Sequence, residues 1–138
     1  MPQFTKNATA QWQGTGKEGS GNIKLESGRM DAPYSFKSRF EDGPGTNPEE
    51  LIGAAHAGCF TMKANFLLNE AGFTAEDFRT KCDVEFKDGS IVSSKLSVEA
   101  KVPGITKEKF DAVIEDAKAN CPISKLLNTE ISATATLL

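Results

Sequence analysis

NPEELIGAAHAGCFTMKANFLLNEAG, Asn47 to Gly72, is the stretch that decides the fold. Asn47 suits a helix N-cap and Pro48 the first helical position. Glu50 then falls third, where a carboxylate completes a capping box. Gly72 suits the far end, so the pattern predicts one helix from Pro48 to about Ala71. Leu51, Ile52, Ala55, Cys59, Met62, Phe66 and Leu67 recur at helical spacing and form its expected apolar stripe. Small residues crowd Gly53 to Gly58, so another element can approach closely. The same stretch holds the chain's single histidine and one of its three cysteines.

Upstream, residues 4–13 alternate, with Phe4, Lys6, Ala8, Ala10 and Trp12 on one side, and read as a strand. GTGKEGSG, Gly14 to Gly21, lacks the Gly-Lys-Ser/Thr ending of a phosphate loop and reads as a hairpin connection. Ile23 and Leu25 mark a second strand. Tyr34, Phe36, Ser38 and Phe40 share one face of a predicted third, with Arg39 on the opposite face. Downstream, Phe78, Thr80, Cys82, Val84 and Phe86 face the inward set Val92, Ser94, Leu96, Val98, Ala100 and Val102. Pairing Phe86 with Val92 predicts a three-residue loop, Asp88-Gly89-Ser90. Phe110, Val113, Ile114 and Ala117 predict an amphipathic helix, interrupted before Pro122. Pro122 then opens a short helix with Cys121 as its N-cap, and Ile131, Ala133, Ala135 and Leu137 form a last strand. The expectation is one α+β domain over residues 1–138, with helices packed on antiparallel sheet.

Composition limits the function classes. The 138 residues carry 16 basic and 19 acidic side chains in scattered order, so nothing favours nucleic acid or an anionic membrane. No apolar run approaches the roughly 20 residues of a membrane span. The N-terminus has no charged-then-apolar plan, so the expectation is a soluble, cytoplasmic protein. An odd cysteine count without close pairing does not fit a secreted disulfide scaffold. A structural zinc site would need all three cysteines plus His56, and the paired ligand spacing is absent.

The cysteines differ in setting. Cys82 sits mid-strand on the apolar face and reads as a small hydrophobe. Cys121, as an N-cap, lies beside backbone N–H groups and the positive end of a helix dipole, with Lys125 one turn on. Cys59 lies in a largely apolar helix, where spacing alone favours a core role. His56, three residues earlier on the same face, leaves a Cys–His pair open, and Arg39 is an alternative source of activation. From the residues alone, a dithiol protein is permitted but not required.

Three motifs in order then become recognisable. GTNPEELIGAAHAGCF (Gly45 to Phe60), CPIS (Cys121 to Ser124) and SFKSRF (Ser35 to Phe40), with VPGI (Val102 to Ile105), resemble the OsmC/Ohr family of thiol-dependent hydroperoxide reductases. The likeness covers essentially the whole chain and lies nearer the OsmC branch, through IGAAHAGCF and KVPGI. It implies an OsmC-like fold, antiparallel sheets packed around a long central helix, in an intertwined homodimer. It also implies reduction of organic hydroperoxides, and more weakly hydrogen peroxide, to alcohols in oxidative and osmotic stress defence. The implied catalytic residues are Cys59 (peroxidatic), Cys121 (resolving), and Arg39 and Glu49, which organise the thiolate. The implied course is a Cys59 sulfenic acid, then a Cys59–Cys121 disulfide, reopened by a lipoyl-type dithiol, with no metal or organic cofactor.

Glu49 and Cys59 raise a geometric difficulty. They are ten residues apart, about 15 Å along a straight helix. Either the helix breaks near Gly53 or Gly58, or the two meet across a subunit interface. Glu50 is assigned to capping and His56 to a supporting role. Two other readings share these motifs: a peroxide-responsive redox sensor, and a carrier of hydrophobic ligands without chemistry.

Overall fold

The computed structural model describes residues 2–138, and the chain divides into two compact units, Met1–Leu51 and Ile52–Leu138. In the first, strands β1 (Ala8–Gln13), β2 (Ser20–Leu25) and β3 (Asp31–Tyr34) form an antiparallel sheet in sequential order. The β1–β2 ladder runs from Ala8 opposite Leu25 to Gln13 opposite Ser20. The alternation from Phe4 therefore overstates the first strand: the ladder starts at Ala8, and Phe4 is 71% exposed.

The third strand ends at Tyr34, and SFKSRF is not its continuation. Phe36–Phe40 is a short helix, α1, capped by Ser35. The Ser38 N–H donates to Ser35 Oγ and the Ser35 N–H donates back to Ser38 Oγ, at 3.1 and 2.8 Å. This reciprocal serine capping box satisfies helix-end N–H groups that a strand would have left unpaired here. Phe36 and Phe40 lie one turn apart with ring centroids 4.9 Å apart. A spacing of four fits both periods, which is why alternation was misleading.

In the second unit, β4 (Asp77–Lys87), β5 (Ser90–Lys101) and β6 (Glu130–Leu137) form the other sheet, in that order. β4 and β5 are an antiparallel hairpin, but β6 joins β5 in parallel, so this sheet is mixed. A parallel neighbour needs a crossover. Helices α3 (Lys107–Asn120) and α4 (Pro122–Leu126) supply it. The hairpin turn is shorter than expected. Asp88 and Gly89 alone connect the strands, both with positive φ (52° and 81°), as a two-residue primed turn requires. Phe86 consequently faces Ile91, and a bulge between Glu85 and Phe86 skips Val92. The bulge restores the inward register further along, where Val84 faces Ser94 and Cys82 faces Leu96.

The long helix α2 runs as Pro48–Glu70. The Glu50 N–H donates to Asn47 Oδ1 at 2.7 Å, the N-cap half of the expected capping box, while the Glu50 carboxylate accepts from Thr46 Oγ1 instead of closing the box. At the far end the Phe73 N–H donates to the Leu68 carbonyl, closing a glycine-terminated end at Gly72. Its buried stripe, however, is Gly53, His56, Phe60, Ala64 and Leu68. Met62 and Phe66 of the expected stripe are 64% and 62% exposed. The helix is apolar on more than one face, so composition could not choose which face meets β4 and β5. Gly53 shows why this one does: a Cβ there would lie 3.3 Å from the Cys82 carbonyl oxygen. Phe60, Leu68, Leu96, Phe110 and Ile114 form the centre of the core, each contributing about 1.5–3 kcal/mol by burial. No helix among the described residues is long and apolar enough to cross a membrane.

Candidate active site

The four residues implied as catalytic fall into two pairs, one in each unit. Arg39 ends α1 and Glu49 opens α2. Arg39 Nε and Nη2 donate to Glu49 Oε1 and Oε2, both at 2.9 Å. This is the bidentate fork that fixes the plane of a guanidinium. The hydrogen bond to Glu49 is the largest influence on Arg39 and raises its pKa above the ordinary arginine value, so the cation persists at every working pH. The frame behind the pair is rigid. Buried Ser38 donates to the Thr46 carbonyl at 2.8 Å, and Asn47 Nδ2 donates to the Ser38 carbonyl at 3.1 Å. Gly45 sits at φ +112°, where a Cβ would also collide with the Pro33 carbonyl. Beside the pair, Trp12, Tyr34, Phe36 and Phe40 line a pocket of about 130 Å³ with Arg39.

Glu50 does not join this pair. Its carboxylate accepts from Thr46 Oγ at 2.9 Å, while its N–H goes to Asn47. The Glu50→Ala variant should therefore lose about 0.5–1.5 kcal/mol of unfolding free energy in a denaturant titration. The activity per folded molecule should hold within about twofold; a larger loss of rate than of stability would place Glu50 in the chemistry.

In the second unit, Cys121 is the neighbouring thiol that acts on Cys59, and both cysteines are free. Cys59 is half-buried on α2; Cys121 is fully buried at the head of α4. Burial pushes the Cys59 thiol up, and its neighbour Cys121 pushes it further, while the Ile123 backbone N–H pulls it down. Cys121 is the N-cap the sequence suggested: the Ser124 N–H donates to its sulfur at 3.3 Å. Gly58, Cys59, Met62, Lys63, Phe66 and Pro122 line a largely apolar pocket of about 310 Å³.

His56 does not pair with Cys59. It faces the core, with Nδ1 2.6 Å from Ser94 Oγ and Nε2 2.7 Å from Ser124 Oγ. Burial lowers its pKa. Cys82 lies 3.1 Å from Ser94 Oγ and 3.8 Å from His56 Nδ1. Burial raises the Cys82 thiol most, Asp83 adds to this, and the Ser94 hydrogen bond opposes it. Cys82 is thus half-buried on the inward face, as its strand position suggested. Sequence reasoning named neither Ser94 nor Ser124 as site residues. The available signal was a serine among the inward apolar positions of β5, and the serine of CPIS. Among the described residues, no three of His, Cys, Asp and Glu converge as a metal site would.

Helix α2 is continuous through Gly53 and Gly58. The break near Gly53 or Gly58 that the sequence left open is absent.

Comparison with known proteins fits this geometry. The family model described as "OsmC-like protein" matches residues 41–136. The peroxiredoxin OsmC of Escherichia coli (strain K12) is 46% identical over 132 residues, 92% of each chain. An organic hydroperoxide resistance protein of Xanthomonas axonopodis pv. citri is 27% identical, covering 97% of this chain and 94% of its own. Among solved structures, the organic hydroperoxide resistance protein OhrB of Bacillus subtilis has a TM-score of 0.70 at 23% identity, with 98% of both chains covered. An OsmC-like protein from Mycoplasma pneumoniae reaches 0.78 at 14% identity, again over 98% of both. The last two show the shared fold, and the first two, with the family model, show the lineage: the chain belongs to the OsmC-like protein family.

Proposed function

We propose that this protein is a two-cysteine peroxidase that reduces organic hydroperoxides, and hydrogen peroxide more weakly, to alcohols. The observation that carries the reading is the neighbouring pair Cys59 and Cys121, two free thiols, with Cys59 lining an apolar pocket. The Cys59 thiolate attacks the distal peroxide oxygen, the O–O bond breaks, and the alcohol leaves. Cys59 is then a sulfenic acid. Cys121 condenses with it, releasing water and forming a disulfide, which a dithiol of lipoyl type reopens by exchange. The peroxiredoxin and hydroperoxide-resistance names of the Escherichia coli and Xanthomonas relatives support a peroxide substrate. The three free cysteines fit a reducing compartment, and we place the reaction in the cytoplasm, in defence against oxidative and osmotic stress. The family match crosses the boundary between the two units, which supports one functional domain.

The thiolate needs a cation, because burial and Cys121 both push the Cys59 thiol up. Arg39, held in its plane by Glu49, is our assignment for that charge. With α2 unbroken, we take the second of the two routes the sequence left open: a second copy supplies the pair, and the working unit is a homodimer. Exposed Met62 and Phe66 beside Cys59 offer the apolar surface such a dimer buries.

Two measurements test this. Reduced protein is mixed with an alkyl hydroperoxide and dihydrolipoamide, and sustained consumption is expected. Consumption of one equivalent without turnover would instead favour a redox sensor, and no consumption a hydrophobic-ligand carrier. Sedimentation should give a dimer; a stable, fully active monomer would defeat the shared site.

A further inference from the structure

A buried polar chain links the second cysteine to the single histidine. Cys121 Sγ lies 3.1 Å from Ser124 Oγ, and Ser124 Oγ lies 2.7 Å from His56 Nε2. On the other side of the ring, Nδ1 lies 2.6 Å from Ser94 Oγ, which lies 3.1 Å from Cys82 Sγ. His56, Ser94 and Cys121 are fully buried and Ser124 is 7% exposed. No buried side-chain nitrogen or oxygen among the described residues lacks a partner. The chain is therefore complete, and the tautomer of the ring sets its direction. A neutral imidazole has one N–H and one bare nitrogen. With Nδ1–H donating to Ser94, Nε2 accepts from the Ser124 hydroxyl. The Ser124 oxygen is then left to accept from the Cys121 thiol.

We propose that His56, reached through the Ser124 hydroxyl, takes the proton of Cys121 when Cys121 attacks the oxidised sulfur of Cys59. The inference rests on the two-cysteine reading and assigns its second step. As the thiol proton moves to Ser124 Oγ, the Ser124 proton moves to Nε2, leaving an imidazolium and a Cys121 thiolate. The thiolate keeps the Ser124 N–H as a donor. The S–S bond forms, the S–O bond of the sulfenic acid breaks, and the departing hydroxide combines with the proton held on His56 to give water. Burial keeps the imidazole neutral near pH 7, so its bare nitrogen is available. The titratable groups facing the ring are Cys82 from β4 and, through Ser124, Cys121 at the head of α4. β5 presents the Ser94 hydroxyl. A buried histidine tied by two serines would also satisfy a purely packing role, which the test must separate.

The test measures Cys121 attack without any peroxide. Reduced protein is given an aromatic disulfide that leaves thionitrobenzoate on Cys59, located by peptide mass. Release of the second thionitrobenzoate then reports attack by Cys121, and its rate is followed against pH. In wild type the rate should be level at neutral pH and fall only on acidification, once His56 is protonated. In Ser124→Ala and His56→Gln it should instead rise continuously with pH, as for a thiol that must ionise unaided. At pH 7 these variants should be about a hundredfold slower, the usual contribution of one positioned base. The difference should shrink steadily towards alkaline pH. A structural defect would slow attack at every pH. The inference is overturned if wild type follows the alkaline thiol titration, or if Ser124→Ala keeps the wild-type profile. Ser124→Ala and the wild-type curve decide the matter even if His56→Gln does not fold. A protein with no peroxidase turnover still gives these profiles, so the two readings fail separately.

Discussion

Replacing Cys59 by Ser should reduce alkyl hydroperoxide turnover to background, a fall of at least about a thousandfold. The hydroxyl is nearly the same size, so the fold should survive. What disappears is the thiol that lines the 310 Å³ apolar pocket and neighbours Cys121. Cys121→Ser should separate the two steps. It retains Cys59, so it should consume about one equivalent of hydroperoxide per site and then stall as sulfenic acid or oxidise further. Rapid-mix consumption assays with thiol counting check both. A Cys59→Ser protein that still turns over, or a Cys121→Ser protein that cycles at the wild-type rate with dihydrolipoamide, would remove the two-cysteine mechanism.

Arg39→Lys should slow Cys59 oxidation by about a hundredfold to a thousandfold, the usual cost of losing one preorganised donor. Lysine keeps the charge but cannot hold the two-point contact with Glu49 at 2.9 Å. The pH dependence gives the sign. Burial and Cys121 raise the Cys59 thiol, and a fixed cation lowers it. Weakening that cation should therefore move the acid limb of the rate profile to higher pH. Stability should change by no more than about 1 kcal/mol, because the pair is partly exposed, with Arg39 at 36%. A variant with unshifted limb and unchanged rate would show that Arg39 has no part in activating Cys59. Glu49→Gln should move both quantities in the same direction, by less.

Much of this was legible because some signals are local. Asn47, Pro48 and Gly72 delimited α2 through backbone groups that must be satisfied within a few residues. Cys121 before Pro122 marked an N-cap for the same reason, and the strict alternation of β4 showed which side of that strand faces inward. The motifs around Arg39, Glu49, Cys59 and Cys121 carried the family likeness, and the structure seats them as one ion pair and one thiol pair.

Other features depended on partners far along the chain. Phe36 and Phe40 fit a strand or a helix equally, and the Ser35–Ser38 exchange decided for α1. Both sides of α2 are apolar, so only its packing on β4 and β5 could bury His56 and Phe60 and leave Met62 and Phe66 outside. The two-residue turn at Asp88-Gly89 required a bulge that pairing rules alone did not foresee. His56 meets Ser94 and Ser124 across separations of 38 and 68 residues. The amino-acid sequence by itself determined helix ends, strand faces and the chemistry-bearing motifs, because those follow from neighbouring atoms. The tertiary structure alone decided which apolar face is core, how β6 joins the sheet, and that the histidine meets Ser94 and Ser124 rather than Cys59. Those choices follow from which distant surfaces exclude water together, and that is a property of the packed chain.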